Sequence, residues 1–208
     1  MRAFLAALVA CLAFTVHGQS LDEFFKAVNA GDVPTVAGFL DKGLDPNTTD
    51  SSGQTILMTA SRLGHLELVK LLIARKASVT RRSPQGDTAL MFACLKGHVA
   101  IAQVLITHGG QINHPGWAPL HYAAFEGGAE VVKLLLSKGA EKDALAPNGY
   151  SPLMLAAREG RVEAARLLLY ADADVSIKAP DGQTALGIAV GKKNEELVEL
   201  LKRAGAVE

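Results

Sequence analysis

Apolar residues in this chain fall into short amphipathic runs that come in pairs. Thr55 opens TILMTASRLGHLELVKLLI, an alanine- and methionine-rich run, a glycine break and a leucine-rich run. The same plan returns as TALMFACLKGHVAIAQVLI from Thr88, GWAPLHYAAFEGGAEVVKLLL from Gly116, SPLMLAAREGRVEAARLLL from Ser151 and TALGIAVGKKNEELVELL from Thr184. Each run predicts a helix with one face to bury, so each unit predicts two helices. Leu57, Leu90, Leu120, Leu153 and Leu186 head the first helices, with mostly alanine three and four residues on, small enough for neighbouring helices to approach closely. The second helices carry the leucine-rich face, as in Val69–Ile73. No unit can bury such faces alone, so stability has to come from stacking on neighbours.

Local signals mark where these helices start and stop. Thr or Ser before the first run supplies a side-chain acceptor for an orphan helical N–H. Pro119 and Pro152 occupy first-turn positions that need no N–H. Gly64, Gly97, Gly127 and Gly160 permit the left-handed turn into the second helix. Lys76 and Asp172 stand where Gly43, Gly109 and Gly139 end the other second helices, so both are expected to take up left-handed backbone at a cost of about 1 kcal/mol. Residues 20–52 read as an atypical first unit, with a capping-box pattern at Ser20–Glu23 and a break at Gly31-Asp32. The last helix, with Glu195, Glu196, Glu199, Lys202 and Arg203, reads as a solvent-facing end.

Gly53, Gly86, Gly116, Gly149 and Gly182 each precede a Thr, Ala or Ser by two residues and lie 33, 30, 33 and 33 residues apart. A 33-residue period with Ala-Pro-Leu-His-Tyr-Ala-Ala wording resembles the ankyrin repeat. The resemblance runs from Leu21 to Glu208 and implies an all-α repeat solenoid, an array of helix-turn-helix units with short β-turn fingers. The expected units are 20–52, 53–85, 86–115, 116–148, 149–181 and 182–208. The 30-residue spacing places a clipped finger at Asn113–Gly116, where a notch is expected.

Residues 1–18 have the form of a signal peptide: Met1-Arg2, an apolar run too short to span a bilayer comfortably, and small residues before Gln19. Cleavage after Gly18 would deliver the domain of residues 19–208 to a bacterial periplasm. Two other readings are a lipoprotein anchored through Cys11, since Leu8–Cys11 resembles a lipoprotein box, and a cytosolic adaptor whose leading segment is a misassigned start. With Cys11 removed, Cys94 is the sole thiol and no internal disulfide forms.

Composition narrows the chemistry. Lys and Arg total 21, as do Asp and Glu, so no overall field draws the chain to nucleic acid or anionic lipid. Aromatic residues make up only 5% against 49% hydrophobic, in keeping with an Ala, Leu and Val core. His65 and His98 follow inter-helix glycines and His121 belongs to the helix-opening turn; the resemblance implies structural roles for all three. His108 and His114 are off-pattern, but their spacing is no recognised ligand set, so a metal or enzymatic site there is the weaker alternative. Cys94 replaces a core alanine and is expected to be buried and inert. Glu126 and Glu159 occupy equivalent positions and read as a solvated face rather than an acid–base pair. No nucleophile elbow, phosphate loop or zinc motif appears, so neither catalysis nor a cofactor is expected.

What remains is a surface. The resemblance implies that fingers and first helices line a concave side that binds another protein, with the chain itself a monomer. The residue after each turn glycine is Gln54, Asp87, Trp117, Tyr150 or Gln183, and the first helices end on residues such as Arg62, Leu95, Phe125 and Arg158. Trp117, Phe125, Tyr150 and Leu95, with Arg158 and with Arg81 and Arg82 of the preceding finger, have the composition of an interface hot spot. The competing reading is that Trp117 and Tyr150 simply pack on their own turns.

Overall fold

The computed structural model describes residues 21–126 and 128–207. The N-terminal segment, Cys11, Ser20 of the capping-box pattern and Gly127 lie outside the described residues. Among the described residues six helix pairs follow one another: α1 (residues 21–30) with α2 (Val33–Asp41), α3 (Ile56–Leu63) with α4 (Leu66–Ala74), and α5 (Ala89–Leu95) with α6 (Val99–Thr107). Then come α7 (Pro119–Glu126) with α8 (Ala129–Ser137), α9 (Pro152–Arg158) with α10 (Val162–Tyr170), and α11 (Ala185–Gly191) with α12 (Glu195–Arg203). No helix among the described residues is long and apolar enough to cross a membrane.

Helices of seven to nine residues are marginal alone, so caps and packing hold them. Thr55, Thr88, Ser151 and Thr184 accept from the backbone N–H of Met58, Met91, Met154 and Gly187 at 3.0–3.3 Å. The thioethers of Met58 and Met91 accept in return from the amides of Thr55 and Thr88, both at 3.4 Å. Ala118 has no hydroxyl to offer. In its unit the His121 N–H turns to the Ala118 carbonyl at 2.9 Å, and His121 Nδ1 takes the methionines' role, accepting from the Ala118 N–H at 3.0 Å.

The first helices α3, α5, α7, α9 and α11 form one row, more intimately packed than the row of second helices. Ala60, Ala93, Ala123, Ala156 and Ala189 are all fully buried, and larger side chains there would push the helices apart. The closer row is the inner side of the curve. Leu68 and Leu72, Ile101 and Leu105, Val131 and Leu135, and Leu197 and Leu201 bury the second helices against it. Truncating one such leucine to alanine costs about 2–5 kcal/mol.

Turn geometry follows the expected glycines where they are described. Lys76 and Asp172 take up φ of 70° and 57°, as their positions predict, and Lys193 joins them at 56°. Fingers close by paired bonds: Ser83 N–H to Asp87 O at 2.8 Å with Gly86 N–H to Ser83 O at 2.9 Å, and likewise Ala146 with Tyr150 and Ala179 with Gln183. Two of the fingers lean closely on the next. A Cβ on Gly53 would stand 2.7 Å from Pro84, and one on Gly149 only 2.3 Å from Pro180. At the clipped connection the corresponding distance, Gly116 to Pro147, relaxes to 3.6 Å.

Side chains also stitch unit to unit at the inter-helix breaks. His65 Nε2 donates to the Asn29 carbonyl at 2.9 Å, His98 Nε2 to the Arg62 carbonyl at 3.3 Å, and Arg161 Nε to the Phe125 carbonyl at 3.1 Å. These backbone bonds account for His65 and His98 structurally.

Candidate functional site

Because α5, α7 and α9 lie side by side, residues at equivalent positions of successive units meet. The last residue of α5, Leu95, thus comes to lie beside Phe125 of α7 and Arg158 of α9. With Trp117, His121 and Tyr122 they line a cavity of about 180 Å³. The Arg158 guanidinium carbon stands 5.5 Å from the ring centroids of both Phe125 and Tyr150. A cation between two aromatic faces is favoured by about 0.5–2 kcal/mol per contact, the upper end requiring desolvation. Its Nε donates to Glu159 Oε1 at 2.9 Å, which fixes the plane of the group.

Trp117 is half-buried, with its ring 5.7 Å from His121 edge-on and 5.9 Å from Tyr122. It packs on its own turn and lines the cavity at once, so the two sequence readings of this residue are compatible. His121 is fully buried, its Nε2 donating to the Ala144 carbonyl of the next connection at 2.9 Å. Burial holds its pKa below the ordinary histidine value. The Tyr122 hydroxyl donates to Asp87 Oδ1, and burial followed by that carboxylate's proximity pushes the phenol pKa up.

Five of the residues singled out in the sequence therefore come together: Leu95, Trp117, Phe125, Tyr150 and Arg158. The finger arginines do not join them. Arg82 donates to the Gly86 carbonyl at 3.1 Å and to Gln111 at 3.0 Å, and its charge bears on His114 rather than on the aromatic group. Arg81 is exposed and does not line the cavity. A long side chain between an acceptor of its own finger and one of the next connection is spent there. Sequence reasoning missed Tyr122 and the Asp87 contact. Tyr122 occupies the column of Thr59, Phe92 and Leu155, and a polar-tipped aromatic in that column was the available signal.

The clipped finger does open a notch, of about 370 Å³, lined by Asn113–Gly116, Glu141, Ala144 and Leu145. It shares no residue with the aromatic cavity, so the two are separate features. A larger hollow of about 590 Å³ lies around Leu186, Val190 and Val207.

Two groups weighed for chemistry in the sequence are buried or engaged. Cys94 is fully buried and its thiol pKa is pushed up by that burial. His108 Nδ1 donates to the Val104 carbonyl at 2.8 Å. Among the described residues no group of three or more His, Cys, Asp or Glu is placed to hold a metal ion. The aromatic cavity is also smaller than the roughly 300–1,000 Å³ of small-molecule pockets.

Comparison with known proteins bears on the whole chain. Residues 24–115, 77–146 and 120–207 match the family model described as ankyrin repeats (3 copies). The chain is 36% identical over 130 residues to ankyrin repeat and SAM domain-containing protein 6 of Mus musculus, covering 61% of this chain and 11% of that protein. It is 31% identical over 135 residues to SH3 and multiple ankyrin repeat domains protein 1 of Homo sapiens, covering 62% and 6% respectively. Against protein phosphatase 1 regulatory subunit 27 of Mus musculus it is 36% identical over 127 residues, 61% of this chain and 63% of that protein. The chain thus spans less than two thirds of each of these relatives.

Proposed function

Because the chain belongs to the ankyrin-repeat family, we propose that it is a non-enzymatic interaction module that holds a partner protein in the groove lined by its first helices and fingers. We further propose that it does so in a bacterial periplasm, after removal of residues 1–18, and that it works as a monomer. The observation that carries the reading is the convergence of Leu95, Trp117, Phe125 and Arg158 from three consecutive units on one cavity of the inner row. Aromatic and arginine side chains gathered at the centre of a surface are the composition of binding hot spots. One relative is by name a regulatory subunit, which is in keeping with a binding rather than a catalytic role.

Position-dependent crosslinking tests the face. A photoreactive residue at Leu95 or Tyr150 is expected to capture a protein from periplasmic extract, and one at Tyr170, 90% exposed on a second helix, is not. Capture that is equal at all three positions, or confined to Tyr170, refutes the groove. N-terminal sequencing of the mature protein tests export: a chain starting at Gln19 supports it, and an intact Met1 refutes it.

A further inference from the structure

The aromatic cavity constrains what can enter it. Both ring nitrogens of His121 are engaged, with Ala118 and Ala144, and the Tyr122 hydroxyl is engaged with Asp87. None of the buried polar atoms left without a partner belongs to a residue lining this cavity. A polar side chain inserted beside His121 and Tyr122 would lose its hydration and find their polar atoms already engaged, a cost of about 1–3 kcal/mol. A cationic one would meet Arg158, whose charge already sits on the Phe125 and Tyr150 faces. An apolar side chain meets neither obstacle, and about 180 Å³ is room for one such group.

The rim has the opposite character. Arg158 uses Nε for Glu159, and its two terminal nitrogens are further donors on a residue that lines the cavity. The edge on which it stands is basic. From the second unit onward, the stretches 62–65, 95–98, 125–128, 158–161 and 191–194 that close the first helices contain six Lys or Arg and two Glu. Those two, Glu126 and Glu159, already face Arg161 at 3.9 Å and Arg158 at 2.9 Å. Basic residues at helix C-termini have a local role with the helix dipole, yet their sum is a positive edge running beside the apolar cavity.

We infer that the groove recognises an acidic partner segment that seats one large apolar side chain among Leu95, Trp117, Tyr122 and Phe125 and sets a carboxylate against Arg158. This rests on the groove being the binding face and adds the chemistry of the partner. The apolar anchor supplies most of the affinity, and the carboxylates supply register and attraction along the Lys96–Lys192 edge. Binding is therefore salt-sensitive.

Trp117 is the sole tryptophan of the chain and borders the cavity, so its emission reports occupancy directly. The test selects random peptides displayed on phage against the full chain and then titrates synthetic versions by tryptophan fluorescence. Peptides with one Leu or Phe flanked by Asp or Glu are expected to be enriched and to shift Trp117 emission. Replacing that Leu or Phe by Ala, or Arg158 by Gln in the protein, is expected to weaken binding at least tenfold. Arg158 is partly exposed, so Arg158→Gln should fold, and an unchanged melting curve checks this.

Enrichment of basic or uncharged peptides that still crosslink at Leu95 overturns the acidic-anchor chemistry while leaving the groove as the binding face. Acidic peptides that bind Arg158→Gln equally well and leave Trp117 emission unmoved overturn it too. A selection that enriches nothing, or only peptides that crosslink at Tyr170, overturns both.

Discussion

His121 offers the sharpest test of how the units are joined. Its counterparts in the other units are Met58, Met91, Met154 and Gly187, so His121→Met substitutes a side chain the fold already uses at that position. Met58 and Met91 accept from the amide three residues earlier, so the Ala118 N–H keeps an acceptor in the variant. What is lost is the Nε2 donor to Ala144, a 2.9 Å bond from one unit to the connection of the next. A single intramolecular hydrogen bond contributes about 0.5–1.5 kcal/mol net, and Ala144 is only half-buried, so water can serve its carbonyl in the variant. The expected loss is about 1 kcal/mol, or roughly 2–4 °C in Tm for a chain of this size. The pH dependence is the second arm. Burial lowers the folded pKa of His121 below its ordinary 6.5, so between the two values the unfolded chain binds more protons than the folded one. Stability from this residue is therefore full above the ordinary value and falls as pH drops through that window. Protonation would also turn Nδ1 from acceptor to donor against the Ala118 N–H. Melting followed by circular dichroism at pH 7.5 and pH 5 should show the wild type losing more on acidification than His121→Met. Equal acid sensitivity of the two proteins, or a variant at least as stable as wild type at pH 7.5, would refute the account.

Three further predictions follow from the same bonds. Gly128 stands where His65 and His98 stand in earlier units, and a Cβ there meets Gly97 at an ordinary 3.6 Å; Gly128→His should stabilise by about 0.5–1 kcal/mol, read by denaturant unfolding, as its ring caps the Leu95 carbonyl. Lys76→Gly and Asp172→Gly relieve left-handed backbone at φ of 70° and 57° and should each add about 0.5–1 kcal/mol, net of the extra freedom glycine gives the unfolded chain; a lower denaturation midpoint for both would contradict this. In a chain starting at Gln19, Cys94 should resist a thiol reagent under native conditions and react fully in denaturant, since it is fully buried and its pKa is raised; rapid native labelling would show that α5 opens.

The fold was legible because a period repeats its own evidence. Leu120 alone could head any helix, but Leu57, Leu90, Leu120, Leu153 and Leu186 in one register leave a single architecture, and all are buried. Lys76 and Asp172 were readable as left-handed for the same reason: glycine at the equivalent positions shows what the backbone requires there. The candidate site was legible in part. Equivalent positions on adjacent helices must be neighbours, which brought Leu95, Phe125 and Arg158 together from spacing alone. Arg82 went elsewhere because rotamers of a long side chain answer to local acceptors, here Gly86 and Gln111, that a period does not reveal. The stitches from Asn47 to Ser78, Asn113 to Glu141 and Asp143 to Asp174 were also unread, although their near-regular spacing carried the signal.

Departures from the repeat concentrate in the unit that carries the cavity, and they compensate one another only partly. Ala118 lacks the capping hydroxyl; His121 Nδ1 accepts from the Ala118 N–H, as the methionines do in other units, and its Nε2 adds a bond to the next connection. Nothing comparable replaces the other two losses. The shortened finger leaves Gly116 and Pro147 less tightly engaged than Gly53 with Pro84 or Gly149 with Pro180. Gly128 has no side chain with which to reach back, as His65, His98 and Arg161 do, across the break. The cavity therefore lies between two places where a contact made elsewhere in the array is loosened or missing, with His121 holding the centre. A repeat selected only for stacking has no reason to shed those contacts on both flanks of one aromatic cluster. On the proposed reading, a unit that admits a partner side chain beside Trp117 and Phe125 gains from neighbours that can give way by a few tenths of an ångström without loss of the row of alanines beneath.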